Sequence, residues 1–518
     1  MATLTHLLAP DLPAETPDDP AIIIPEDDAA LTISHGRLLH QCHALRKQLA
    51  QIGLGHGTAV AISLPNSYEF VTLFLAIGWQ RAVAAPLNPA YKEQEVQFYL
   101  DDLDAAAIVV PQGACQQGSA AVLAARKRNA AVIECYTKDR DVCLDVKEIG
   151  GLKGKGEREV EDPREDDVAL VLHTSGTTGK PKAVPLSHKN LSVSVDNIVK
   201  TYKITKNDRT MIIMPLFHVH GLVASFMAAL KAGSAVIIPP RLAPSFWKDF
   251  AAHKATWYTA TPTMHTILLS FPLPSPMPTI RFIRSCSSPL APQTLQTLED
   301  KFKAPVLEAY AMTEASHQIT SNPLPPAPHH AGSVGLTGGD IELRILSPNA
   351  EEAVPQGSEG EICIRSSSVT AGYLSNPTAN ASSFTTDGHF FRTGDFGKLD
   401  QNGYLYLTGR IKEFINKGGE KISPVEIDHL IAGHELVKDV VAFAMADEVY
   451  GQELGVAVVL SEGAALGERE LKKWVRERVA PLKVPKKIWF PNEIPKTATG
   501  KVQRAKVAEA MMRDSKAQ

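Results

Sequence analysis

A switch between short apolar runs and helix-period segments repeats through the first half of this chain, and it limits the folds open to it. "TAVAISLP" leads into the helical pattern "SYEFVTLFLAIGWQ", followed by "AVAAPL", the helical "KEQEVQFYLDD" and "AAAIVVP". Strands apolar on both faces need cover on both faces, which βαβ units on a mainly parallel sheet provide. A charged, glycine-bearing stretch, "DVKEIGGLKGKGEREVEDPREDD", reads as an exposed connection. The alternation then resumes with "TMIIMP", "HGLVASFMAALKAG", "SAVIIPP", "ATWYTATP" and "IRFIRSCSS". From Gly332 the chain changes to short alternating segments with turn residues, predicting a small antiparallel sheet or β-barrel. A last section from about Ile411 carries its own helices and strands and is long enough for a compact α+β domain. The expected class is α/β, with two doubly wound subdomains, the small β module and the C-terminal domain. At 518 residues the chain is far longer than one usual domain.

Composition removes several function classes. A formal net charge of −4 does not make a surface that coats nucleic acid. Six cysteines, scattered without a CxxC pair, give neither a zinc pattern nor a disulfide framework and fit a reducing compartment. The most apolar run, Phe70 to Trp79, breaks at Gln80-Arg81, well short of the ~20 residues needed to cross a bilayer. The acidic N-terminal stretch has no basic region of the kind a signal or transit peptide carries. Ser-Lys-Ala occurs one residue too early for the peroxisomal tripeptide, since the last three residues are Lys516-Ala517-Gln518. The expected address is cytoplasmic, with peroxisomal as the alternative.

The chemistry is concentrated in "LHTSGTTGKPKAVPLSH", Leu172 to His188. Gly176 and Gly179 let backbone N–H groups turn toward an anion. Thr174, Ser175, Thr177 and Thr178 add hydroxyl donors, and Lys180 and Lys182 add charge. A Walker-type loop has four residues between its glycines and Ser or Thr after the lysine. Here only two residues separate the glycines and Pro181 follows the lysine, so the loop does not run straight into a helix.

"TSGTTGKPKAV" resembles the signature of adenylate-forming enzymes, the family of acyl-CoA synthetases, adenylation domains and firefly-type luciferases. Further motifs of that family follow in the expected order across nearly the whole chain. "YAMTEA" matches its Tyr-x-x-Thr-Glu. By that resemblance Tyr310 stacks on adenine, Thr313 meets phosphate and Glu314 helps hold Mg²⁺. "FRTGD" offers Asp395 for the ribose hydroxyls, and Arg410 in "YLTGR" assists. "GRIKEFINKGGEKISPVEI" resembles the hinge, with Lys412 at the hinge position, and the thioester-site segment. There Gly418 and Gly419 are expected as a strand without side chains that lets a pantetheine arm approach. "PKTATGKVQR" carries the expected adenylation lysine, Lys501. The resemblance implies an N-terminal domain over 1–408, a hinge at 409–412 and a mobile C-terminal domain over 413–518. It also implies ATP, Mg²⁺ and CoA.

Such enzymes join a carboxylate to the α-phosphate of ATP, release pyrophosphate, and then let a thiol displace AMP. Lys501 would stabilise the charge developing at phosphorus. Rotation about the hinge would exchange Lys501 for the Gly418–Gly419 face. For the acid itself, "MPLFHVHGL", "RSCSSPLAP" and "TEASHQ" supply His218, Ser287 or Ser288, and His317. His220 would share a face with His218 if that stretch were a strand; a metal reading of the pair lacks a third ligand. A pocket so rich in hydrogen-bonding groups suits a very small diacid, and these strings resemble the plant and fungal oxalate–CoA ligase branch. Three alternatives stay open: a CoA ligase for another short, medium-chain or aryl acid, such as one feeding a specialised metabolite pathway; an enzyme loading a carrier protein; and a non-catalytic nucleotide-binding protein. The joint presence of Glu314, Asp395, Lys412 and Lys501 weighs against the last.

Overall fold

A computed structural model of the chain describes residues 3–8, 18–26, 30–174, 181–348, 350–497 and 502–514. The first alternating stretch forms a seven-stranded sheet in which Ala107–Pro111, Ala59–Ile62, Val83–Pro86 and Val168–Thr174 are neighbours. Pairing is parallel inside this sheet and antiparallel only at its two ends. The second stretch forms a nine-stranded sheet around the parallel strands Trp257–Ala260, Phe282–Ser285 and Val306–Met312. Pro20–Ile24, early in the chain, joins this second sheet by pairing in parallel with Ala235–Ile237, and so ties the two units together.

The apolar run that is too short to span a bilayer lies in helix Tyr68–Trp79, where every residue but Glu69 is buried. Such an all-round apolar helix is stable only inside a protein core. Ser67 caps it by accepting from the Phe70 N–H at 3.2 Å. Among the described residues, no helix is long and apolar enough to cross a membrane. The charged connection is held along its length: Asp162 pairs with Arg46 at 3.0 Å and Asp167 with Arg81 at 2.8 Å.

The small β module consists of Glu342–Leu346, Gly360–Arg365, Phe391–Leu399 and Leu405–Arg410, antiparallel and in sequence order. Of the two forms expected, it takes the open sheet, because four strands are too few to wrap a filled barrel interior. Beyond it, Ile415–Lys417, Glu420–Ile422, Val437–Asp447, Gly451–Leu460 and Lys487–Trp489 build a five-stranded sheet with a core of its own around Ile415, Ile427, Ile431, Val456 and Leu471. Arg504, at the start of the last helix, ties this part together by reaching Asp428 at 2.7 Å and Glu413 at 3.1 Å.

Candidate functional site

Two constellations lie at the carboxyl ends of the second sheet's strands, where open α/β sheets bind ligands. The first grows from strand Val306–Met312 and the turn Thr313–Ala315 that follows it. Tyr310 is buried and donates its hydroxyl to Asp395 Oδ2 at 2.5 Å. Arg410 Nε meets Asp395 Oδ1 at 2.8 Å, because the two residues face each other across the ladder of Phe391–Leu399 and Leu405–Arg410. The Asp395 charge holds the Arg410 guanidinium above the usual arginine range. The structure thus gathers Tyr310, Asp395 and Arg410 from three motifs, and a carboxylate with spare lone pairs can still accept from a diol.

Glu314 is buried beside this cluster and accepts a hydrogen bond from Tyr373 at 2.8 Å on Oε1. Lys182 Nζ lies over the Tyr373 ring, 4.3 Å from its centre. Burial, and then the charge of Lys412, pull Lys182 below the usual lysine range against the pull of Glu314. Lys182, Glu314 and Lys412 therefore share one electrostatic neighbourhood, with Thr313 beside Glu314. No group of three or more His, Cys, Asp or Glu able to hold a metal occurs among the described residues. One hard carboxylate oxygen fits Mg²⁺ of the kind whose remaining ligands are phosphates and water.

Thr174 ends its strand opposite Lys182 on an antiparallel partner. The glycine-rich segment therefore joins two antiparallel strands and does not feed a helix. Ser175, Gly176, Thr177, Thr178, Gly179 and Lys180 lie outside the described residues, as does Lys501. In the segment before Lys501, Lys496 Nζ reaches Asp439 of the C-terminal sheet at 2.6 Å and Thr263 of the N-terminal body at 3.3 Å.

Gly418 and Gly419 differ from expectation. They are the two turn residues of the hairpin Ile415–Lys417/Glu420–Ile422, with φ of +60° and +95°. A two-residue turn of this hand requires positive φ at both positions, which glycine supplies. They are thus a turn and not a strand, and a Cβ on Gly418 would stand 3.1 Å from the Tyr450 ring.

In the second constellation Thr259, Arg284, His220 and His317 are buried, and His218 and Ser287 are half-buried. His218 and His220 do not lie on a strand: His220 opens the helical turns His220–Met227. Gly221 makes this packing possible, since a Cβ there would sit 2.4 Å from the Pro215 carbonyl. His218 Nδ1 accepts from the His220 N–H at 3.3 Å. His220 then reaches Ser287 Oγ at 3.0 Å through Nδ1 and Thr259 Oγ1 at 2.6 Å through Nε2. Its ring stacks on His317, centres 5.4 Å apart. Of the two serines expected, Ser287 faces the histidines, while the Ser288 hydroxyl donates to the Ser287 carbonyl.

Neither ring nitrogen of His317 has a hydrogen-bond partner among the described residues. Burial, and then the charge of Arg284, hold His220 and His317 well below the usual histidine range, so both rings are neutral at pH 7. Ser287 and His317 also adopt φ of +76° and +123°, conformations that cost of order 1–3 kcal/mol each. Strain of that size at two residues facing one cluster marks a built site.

Two members of this pocket escape a reading of the sequence, and a third, His220, is visible there only as a strand-face neighbour of His218, not as the ring that links Ser287 to Thr259. Thr259 and Arg284 look like ordinary residues of buried strands, and only the parallel register that sets them side by side brings them to the histidines.

The chain matches the family model described as AMP-binding enzyme over residues 11–374 and that described as AMP-binding enzyme C-terminal domain over 426–501. It is 41% identical to an oxalate–CoA ligase of Saccharomyces cerevisiae, covering 96% of each chain. It is 43% identical to an oxalate–CoA ligase of Arabidopsis thaliana, covering 98% of each. Its fold superposes on ATP-bound MatB from Rhodopseudomonas palustris with a TM-score of 0.88 at 29% identity over 98% of both chains. Apo MatB gives 0.77, so the arrangement is nearer the ATP-bound one. With its motifs gathered into these two constellations, the chain belongs to the AMP-binding enzyme family.

Proposed function

We propose that this protein is an ATP-dependent acid–CoA ligase whose acid is oxalate, formed into oxalyl-CoA with release of AMP and pyrophosphate. The observation that carries the choice of acid is the buried His317 ring. Its two nitrogens lack partners among the described residues; the ring stacks on His220, which bonds the Ser287 hydroxyl, and it feels the Arg284 charge. Leaving such groups unpaired under an apolar acid costs about 1–3 kcal/mol each. A second carboxylate accepts from the donors among them, the one N–H of the neutral ring and the hydroxyl. The full-length oxalate–CoA ligase relatives support the same acid.

In this reading Tyr310, Asp395 and Arg410 hold the nucleoside, and Thr174 to Lys180 with Lys182 hold the phosphates. Thr313 meets the α-phosphate, and His218 shields the reacting carboxylate. A carboxylate oxygen attacks the α-phosphorus, the bond to the bridging oxygen breaks, and pyrophosphate leaves. Mg²⁺, when bound by Glu314, neutralises phosphate charge. Lys501 stabilises the charge that grows at phosphorus. The CoA thiol, losing its proton, then attacks the acyl carbon and AMP departs with the carboxylate oxygen. Residues 409–412 form the hinge between a body over 1–408 and a mobile domain over 413–518. Rotation there brings the Gly418–Gly419 turn to the site. We place the enzyme in the cytoplasm, with peroxisomes as the alternative. The six free cysteines fit either reducing compartment, and a fluorescent fusion separates the two.

AMP release from purified protein with ATP, Mg²⁺ and CoA, measured against oxalate, malonate, acetate, octanoate and a hydroxycinnamate, tests the proposal. Strong turnover with oxalate alone is expected. Preference for an apolar acid overturns the reading of the pocket while leaving the ligase chemistry in place.

A further inference from the structure

Arg284 is among the largest side chains in the molecule that are completely buried, and no carboxylate among the described residues acts on its charge, only Tyr202 and Cys286. Its Nε donates to the Tyr202 hydroxyl at 2.7 Å and its Nη1 to Thr259 Oγ1 at 3.3 Å, while Nη2 has no partner among the described residues. A buried, unpaired guanidinium is costly unless something anionic answers it.

The hydrogen bonds around it have a fixed direction. Guanidinium only donates. Among the described residues Thr259 Oγ1 has two side-chain partners, Arg284 and His220, so the one acceptor for the Thr259 proton is His220 Nε2. The neutral His220 then carries its own proton on Nδ1 and donates it to Ser287 Oγ. Ser287 accepts that bond, which leaves its own hydroxyl proton to be donated elsewhere. On the other side, Arg284 orients the Tyr202 hydroxyl toward Ser321 Oγ at 2.5 Å, and Ser321 donates to the Asn322 carbonyl. Both chains of donors start at Arg284. One of them ends at the hydroxyl that faces the histidine pair.

We propose that Arg284 is a specificity-determining residue that makes this pocket select a doubly charged acid, and that Thr259 is the positioning residue through which it turns Ser287 into a donor to the second carboxylate. The inference rests on reading this pocket as the acid site. It adds a charge behind the residues that touch the acid, and it separates charge from size. Oxamate has the size of oxalate with an amide in place of one carboxylate, so the oxalate-to-oxamate ratio of kcat/KM reads that charge alone.

In Arg284→Met the ratio is expected to fall about 10- to 100-fold, the range of a hydrogen-bonded charge contact. Thr259→Val keeps the shape and the guanidinium but breaks the relay; it is expected to raise KM for oxalate about 10-fold with little change in kcat, and Thr259→Ser to restore it. A merely structural role would lower turnover of both acids together. If Arg284→Met does not unfold cooperatively, Thr259→Val, Thr259→Ser and Arg284→Lys decide the matter. A folded Arg284→Met or Thr259→Val with the wild-type ratio overturns the inference. If wild-type enzyme ignores oxalate but uses malonate, the reading of the acid has failed; the same variants with malonate and malonamate then test Arg284 separately.

Discussion

The two constellations stand side by side but manage charge in opposite ways. In the nucleoside cluster Asp395 is answered within the protein, by Arg410 on one oxygen and Tyr310 on the other. In the acid pocket the Arg284 guanidinium has no carboxylate among the described residues, and the imidazoles around it are kept neutral. A charge matched internally costs little in the empty site and specifies geometry. An unmatched buried charge leaves a debt that only a particular ligand removes. The first arrangement suits a nucleotide used by a whole family; the second suits discrimination between acids.

The sharpest way to break the comparison is to remove the cation that serves the transition state. Lys501→Ala is expected to slow adenylate formation about 100- to 1,000-fold, the range for losing one preorganised donor. ATP binding should persist, and preformed oxalyl-adenylate should still react with CoA. Pre-steady-state pyrophosphate release checks this, and normal adenylation by the variant would remove the role given to Lys501.

His317→Phe should raise KM for oxalate about 10- to 100-fold and leave KM for ATP unchanged. Asp395→Asn should do the reverse, raising KM for ATP about 10-fold with the oxalate KM intact. Steady-state kinetics with each substrate varied separates the two. If either variant shifts both constants equally, the sites are not the independent units described here.

A further effect concerns pH and stability, not turnover. His265, buried behind the Arg284 strand, is pushed down to about 3 by burial. The unfolded chain binds its proton below about pH 6.5 while the folded one does not, so stability falls as pH drops below that point. At pH 5 this amounts to about 2 kcal/mol. Thermal unfolding of His265→Gln should show a flatter decline from pH 7 to pH 5 than wild type.

The nucleoside cluster was legible because its residues sit in short contiguous motifs with distinctive glycines, as in "YAMTEA" and "FRTGD". The two parallel sheets were equally legible, since strands apolar on both faces have few other homes. The acid pocket was legible only in part. Ser287 and His317 stand in polar strings, whereas Thr259 and Arg284 come together through strand register, which no local pattern encodes. The Gly418–Gly419 strand was misread because paired glycines serve a positive-φ turn at least as well as an open strand.

Transfer of label from oxygen-18 oxalate tests the central claim most directly. With ATP, Mg²⁺ and CoA, each turnover should place one labelled oxygen in AMP and none in pyrophosphate, because the attacking carboxylate oxygen stays on phosphorus when the thiol displaces AMP. Oxalyl-CoA formed with unlabelled AMP would contradict it.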